Sequence, residues 1–406
     1  MQKNITTLTF IFREWKFLLF GALVMFWSSP GQTYLISLFA DEMRADFDLT
    51  HLQLGSLYTI ATLVSASILW PAGMLVDRLP LARFVWWISA IMALSTSAVT
   101  LVSGPATLFL GILVVRFLGQ GMMSHIAVTA MARRYVAERG RAIAIAGFGF
   151  PIAEGILPPI ITIGLTIFHW KSIWTAMGLA VGLTLLPTIP FLLKRTANQD
   201  GEGAKHVDYR QAYFRHWTRA EMLRDPRFFM IAPLVMTMSA IFTGLIFHQK
   251  FIIGTAKNWD FLWWSFCFVI FAACQVVGSF LSGWLVDRIS ARYITPYVLL
   301  PFGFSLIILG WAENELWSLA ILSTMGLSAG ATNPVFSSLW AELYGTDHLG
   351  GIRAVGAVLS VFASALGPVI VGWGLDRNVS IMTLTSFSIL IVFATSSLSA
   401  IALKKA

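Results

Sequence analysis

The sequence is poor in charge and in cysteine. Charged residues make up 12% of its 406 positions, against roughly a quarter in a typical soluble domain. Hydrophobic residues make up 57%. A chain of this kind cannot hide its apolar surface in one aqueous core and needs a bilayer as solvent. The two cysteines, Cys267 and Cys274, stand seven residues apart in one apolar run, a helical spacing too wide to bridge, so no disulfide is expected. There is no His-Glu-x-x-His run, no Cys/His cluster of metal-ligand spacing and no Gly-x-Ser-x-Gly elbow. An enzyme is therefore not expected, nor a metal or cofactor. A phosphate-binding loop is also lacking, which excludes direct ATP coupling by this chain. The net charge of +8 comes without the basic–aromatic stripe of nucleic-acid modules, so no nucleic-acid partner is expected.

What the chain has instead is long apolar runs. A helix needs about 20 largely apolar residues to cross a bilayer. Twelve runs qualify: 17–40, 52–76, 84–104, 106–131, 142–168, 173–193, 229–253, 261–286, 294–312, 316–340, 354–375 and 381–403. The first is too long for a signal peptide's apolar region and is followed by charge, so it reads as a retained span. Lys and Arg divide 22 to 5 between the two sides if the N-terminus is cytoplasmic, with Arg116 inside a span. That bias predicts a multi-pass protein of the cell (inner) membrane with both termini cytoplasmic. Tryptophans such as Trp86-Trp87 and Trp263-Trp264 fall near span ends, as interfacial anchors do.

The expected organisation is an N-terminal six-helix bundle (1–193), a cytoplasmic linker (194–228) and a C-terminal six-helix bundle (229–406). The linker begins as a flexible tether, KRTANQDGEGAKH, and continues into Thr218-x-x-Glu221, a capping box ahead of Asp225-Pro226. That second part predicts a short helix at the inner face.

An internal repeat supports the two-bundle reading. Gly73-x-Leu75-x-Asp77-Arg78 returns as Gly283-x-Leu285-x-Asp287-Arg288, 210 residues on. Arg141-Ala142 matches Arg353-Ala354, and Pro158 matches Pro368, in nearly the same register. The fold class is then an all-α membrane protein of twelve helices in two bundles related by a pseudo-two-fold axis, with function between the halves.

These features resemble the major facilitator superfamily of secondary transporters. Arg116-x-x-Gly119-x-Gly121 in span 4, Ala137-Glu138-Arg139-Gly140-Arg141-Ala142 in the 4–5 loop, and Gly147-x-Gly149-x-Pro151 with Gly155 in span 5 are similar to that family's signatures. LRDPRFF before span 7 and YGTDHLGGIRA before span 11 resemble its bacterial monocarboxylate and oxalate/formate porters, although the basic residue such porters carry in span 8 or 11 is lacking, span 8 having none before Arg288 and span 11 none. The resemblance implies alternating access, with spans 1, 4, 7 and 10 around a cavity. It also implies that Asp77 and Asp287 lie against the start of a span from the opposite half, as acids favour a helix N-terminus. Gly73, Asp77, Arg78, Arg83, Gly283, Asp287, Arg288 and Arg292 are thus the expected conformational latch, with the two glycines allowing close helix approach.

Charge inside the spans breaks the repeat. Arg116 aligns with Gly326 and Glu154 with Ser364, so both buried charges belong to the N-terminal half. They lie at similar depth, roughly 22 and 18 Å from the inner ends of spans 4 and 5 at 1.5 Å per residue. A charge at the bilayer centre costs about 2.5–3.5 kcal/mol on insertion scales and so pairs or does chemistry. Substrate drawing Arg116 away would leave Glu154 to take a proton. The alternative is a permanent pair bracing spans 4 and 5. Other polar residues are candidates to line the cavity: Gln32, Tyr34, Tyr58, Gln120, His248 and Asn333, with Gln249 and Gln275. His125 reads as a packing histidine. The expected function is a monomeric, proton-coupled carrier of a small organic solute, with the lipid bilayer as surroundings. The alternatives are an efflux carrier for drugs or metabolites and a transport-inactive sensor on the same scaffold.

Overall fold

A computed structural model describes residues 7–135, 138–194 and 217–404. Most of the tether expected from 194, and Ala137 of the 4–5 loop, lie outside the described residues. Within them the chain is helical, with no strand, as a bilayer demands of backbone that has no water to bond. The long helices are α1 (Thr7–Phe26), α2 (His51–Gly73), α3 (Leu81–Leu101), α4 (Pro105–Arg134), α5 (Arg139–Ile167), α6 (Trp170–Leu193), α7 (Pro226–Phe247), α8 (Phe261–Ile289), α9 (Ala291–Trp311), α10 (Ser318–Tyr344), α11 (Leu349–Asp376) and α12 (Ile381–Lys404). Ten of these are long and apolar enough to cross a membrane. The other two are α1, which carries Arg13, Glu14 and Lys16, and α10, which is diluted by Ser, Thr, Gly and Asn. The twelve-helix architecture therefore stands.

Two spans differ from their expected form. The first does not run unbroken over 17–40: α1 starts at Thr7, ends at Phe26, and gives way to a 3-10 turn at Ser29–Gly31. Pro30 has no N–H to continue the ladder. The Ser28 and Ser29 hydroxyls donate back to the Met25 and Phe26 carbonyls, and Gln32 is extended. Only two short turns, Thr33–Ile36 and Ser37–Phe39, follow. Span 7 ends as an α-helix at Phe247 rather than 253, and continues as a π-helical turn at Phe251–Ala256.

The chain divides into two compact units. The first holds residues 1–36 and 60–208, the second 37–59 and 209–406. In the first, α3 packs along α6, and α1 lies against α4, α5 and α6. In the second, α8 packs along α10, α7 along α11, and α9 along α12. The expected short helix is present at Arg219–Met222: Glu221 N–H donates to Thr218 Oγ1, and Thr218 N–H donates to Glu221 Oε2 at 2.8 Å.

Each unit ties its short inter-helix turn to the C-terminal end of a neighbouring span, by opposite chemistry. In the first unit Arg133 of α4 donates to the Val76 carbonyl at 3.1 Å. In the second, Glu342 of α10 accepts from Ser290 Oγ and from the Ala291 and Arg292 N–H groups, at 2.6, 2.8 and 3.2 Å. A guanidinium suits carbonyls at a helix C-terminus and a carboxylate suits N–H groups at an N-terminus. Removing the carboxylate by Glu342→Ala is expected to cost about 0.5–2 kcal/mol, the range for a lost N-terminal cap. A lower melting temperature of the purified protein in detergent is the check, and an unchanged one would contradict this role.

Candidate functional site

The site begins with the break in α1. Leaving the helix frees the Gly31 carbonyl, and Arg116 donates to it through Nη1 at 3.1 Å. Arg116 is 2% exposed. It is followed at once by a π-helical stretch, Phe117–Met123, inside α4. Such bulges occur frequently at functional sites. The break and the bulge fit together because both are glycine. A Cβ on Gly31 would lie 2.2 Å from Val115 O, and one on Gly119 would lie 2.5 Å from Ser28 O.

Glu154, on α5, is 3% exposed. Its helix packs against the short turn Thr33–Ile36 that carries Tyr34. The Tyr34 hydroxyl donates to Ser29 Oγ at 2.7 Å, and its ring meets Phe150 edge-on at 5.9 Å. Phe150 sits one turn before Glu154. Gln32, buried, donates through Nε2 to Ser28 Oγ at 3.3 Å. Gln120 is half-buried within the bulge. Five of the candidate residues, Gln32, Tyr34, Arg116, Gln120 and Glu154, therefore belong to one unit and gather around one break.

The rest lie in the second unit. Tyr58 is fully buried, its ring 4.5 Å from Phe247. His248 is buried and sits 2.9 Å from the Pro368 carbonyl through Nε2. Gln249 joins Ser37 Oγ to Trp264 Nε1, both at 2.8 Å. Asn333 is exposed and accepts from Ser337 one turn along α10.

The positions that align with the charged pair are plain in the second unit. A Cβ on Gly326 would lie 2.4 Å from Phe271 O, so that glycine serves tight packing. Ser364 Oγ donates to its own helix, to Val361 O at 2.8 Å.

The turn motifs behave unequally. Close approach was expected at both glycines and occurs at one. A Cβ on Gly73 would be 3.3 Å from His125 Nε2, whereas one on Gly283 would meet nothing within 4 Å. His125 is exposed and packs over Gly73. Because the π-helical stretch lies between Arg116 and His125, their phase cannot be counted on an α-helical period. Arg78, Arg83, Asp287 and Arg288 are exposed, with Arg288 4.3 Å over the Trp284 ring. Arg292 is half-buried, its backbone held by Glu342. The Asp77 side chain lies outside the described residues.

A multi-helix membrane chain in two repeated halves, with charges buried in its spans beside a broken helix, has the build of a solute carrier. The chain belongs to the major facilitator superfamily, whose model matches residues 18–368. It is a multi-pass helical membrane protein. A relative in Bacillus subtilis (strain 168), the uncharacterized MFS-type transporter YcxA, is 25% identical over 215 residues. That match spans 48% of this chain and 50%, about half the length, of the relative. A crystal structure of a bacterial homolog to the human lysosomal transporter Spinster, inward-facing and unoccupied, is similar with a TM-score of 0.71 at 14% identity, covering 96% of each chain. An inward-facing and occupied structure gives 0.66 at 16%, covering 97% of this chain and 95% of the other. At such identities the likeness is one of fold.

A methyl group at Gly119 has no room against Ser28 and Gly31. Gly119→Ala is expected to destabilise the protein by about 1–3 kcal/mol, the usual cost of overpacking. Gly121→Ala, whose Cβ would meet only Leu69 side-chain atoms at 3.4 and 3.6 Å and Arg116 O at 3.7 Å, is expected to be tolerated. Equal melting temperatures for the two variants would contradict the tight fit.

Proposed function

We propose that the protein is a secondary transporter that moves a small organic solute across the membrane by alternating access, coupled to protons. The observation that carries this is the placement of Arg116 and Glu154. Both are buried charges, both lie by the break in α1, and neither has a charged equivalent in the second unit. The shared features of the halves serve the conformational step. A feature confined to one half serves the cargo or its coupling ion. Broken spans are where transporters of many folds hold substrate and ion, because freed backbone groups become ligands.

In this mechanism an anionic or polar group of the solute competes for the Arg116 guanidinium. As that positive charge turns to the solute, the Glu154 carboxylate is left in a low-dielectric site and takes a proton. Tyr34 is placed to keep a hydroxyl beside Glu154 in either state. Arg116 also supplies the positive charge for an organic anion that α11 lacks between Arg353 near its start and Arg377 after its end.

Glu154→Gln keeps the shape and removes the titration. Uptake by the wild type into liposomes is expected to rise with an inward proton gradient, and uptake by the variant to lose that dependence while solute binding persists. Gradient dependence that survives in Glu154→Gln would remove this residue from coupling. The turn motifs belong to the conformational step, so Asp77→Asn is expected to slow turnover by roughly tenfold, equivalent to about 1.4 kcal/mol of barrier, with binding unchanged. Normal turnover would exclude the latch.

A further inference from the structure

A second cluster of buried polar groups lies in the other unit, where the start of α2 meets α7 and α11. The Asp376 carboxylate, at the end of α11, accepts from the backbone N–H groups of His51 and Leu52 at 2.9 and 2.8 Å. It thereby caps α2 from 325 residues away. Helix α2 already has its own cap, since Gln53 N–H donates to Thr50 Oγ1 and Thr50 N–H to Gln53 Oε1. The distant carboxylate is thus additional, and its effect is to hold the two helices together.

Beneath it stand two imidazoles. His51 is 4% exposed and His248 2%, and their rings are 5.3 Å apart. His51 Nδ1 is buried with no hydrogen-bond partner among the described residues. His248 Nε2 sits on the Pro368 carbonyl of α11. The backbone is drawn in around them: a Cβ on Gly372 would be 2.7 Å from His51 O and 3.1 Å from His248 Nε2, and one on Gly55 would be 2.6 Å from Pro368 O. Thr59 donates to the Ala365 carbonyl further along.

We infer that His51, His248 and Asp376 are positioning residues for transport, which keep the first turns of α2 docked on α7 and α11 until the imidazoles take a proton. A docked, neutral pair is compatible with these surroundings. An imidazolium there would stand beside a second imidazole, with Phe251 edge-on to His51 at 4.3 Å and the Arg44 guanidinium 5.9 Å from the centre of that Phe251 ring. The charged groups around the cluster are few. The segment Ala40–Phe47 brings Asp41, Glu42 and Arg44, the residues after α7 bring Lys250, and α11 brings Asp376 with Arg377 just beyond it. Arg44 is bound to Asp41 at 3.1 Å, and Lys250 to Glu42. Burial holds the Asp41 carboxyl above its usual range, against the pull of Arg44. Asp376 is the nearby carboxylate, and both its oxygens already accept backbone N–H groups.

The sign follows. Release exposes the imidazoles to water, which stabilises the charged form. Docking is therefore favoured at high pH and lost as pH falls through the ordinary histidine range near about 6.5. With the termini cytoplasmic, the cluster lies on the outer side, where an acidic medium would unlock it. Its purpose rests on the transporter reading, but the docking can be measured with no solute present.

The test uses the full chain in lipid nanodiscs with Cys267→Ser and Cys274→Ser, spin-labelled at Ala45→Cys and Met382→Cys. Both positions are exposed. One short distance population is expected at pH 8, with a second, longer one appearing at pH 5.5. The double variant His51→Gln/His248→Gln is expected to keep the short population at both pH values, and Asp376→Asn to show the longer one at both. A wild-type distribution that ignores pH overturns the proposal, as does an acid shift that persists in the double glutamine variant. If that variant fails to fold, the wild-type pH series and Asp376→Asn decide alone. A pH-dependent distance together with a gradient-independent Glu154→Gln result would leave the docking standing and remove only the coupling mechanism.

Discussion

A helix that breaks inside a bilayer must find partners for the carbonyls it releases, because no water is there to take them. Much of the first unit follows from this constraint. Ser28, Ser29, Pro30 and Gly31 end α1 early, and the Gly31 carbonyl is met by the Arg116 guanidinium. That guanidinium is itself costly in the membrane and is offset by the same contact. Gly119 and the π-helical stretch let α4 come close enough for it. Tyr34 and Glu154 complete the polar group on the far side of the break. Structure and candidate chemistry are here the same set of contacts.

The two halves use a common frame for different ends. The C-terminal ends of α4 and α10 each hold a short turn, one with Arg133 and one with Glu342, and the choice of charge follows the helix end that each side chain meets. Polar function is then divided between the units. The first carries the buried charge. The second carries the two imidazoles and the Asp376 cap, around which α2, α7 and α11 close. A duplicated frame here holds unequal polar contents.

The span count, the repeat and the charged candidates were legible in the sequence because they depend on composition and spacing alone. Hydropathy marks a span wherever its partners lie. Arg116 and Glu154 stood out because nothing else in their runs is charged. The break in α1 was not legible as a break, since proline and glycine are tolerated inside spans. The same residues would read as a kink. The two π-helical stretches leave no mark in composition. Nothing in the sequence pointed to Glu342, and Gly283 looked equivalent to Gly73 although only Gly73 has a side chain packed on it.

The sequence by itself determined that this is a twelve-helix membrane protein of two similar halves, which belongs to a family of transporters, with its charge buried in one half. Those properties are set by the free energy of transferring side chains into lipid, which is additive along the chain. Only the tertiary structure decided which polar groups act together. Arg116 meets Gly31 across 85 residues, and His51 meets Asp376 across 325. Such pairings depend on how closely backbones approach, and that is set by glycines and helix breaks whose effect exists only once a neighbouring helix is in place.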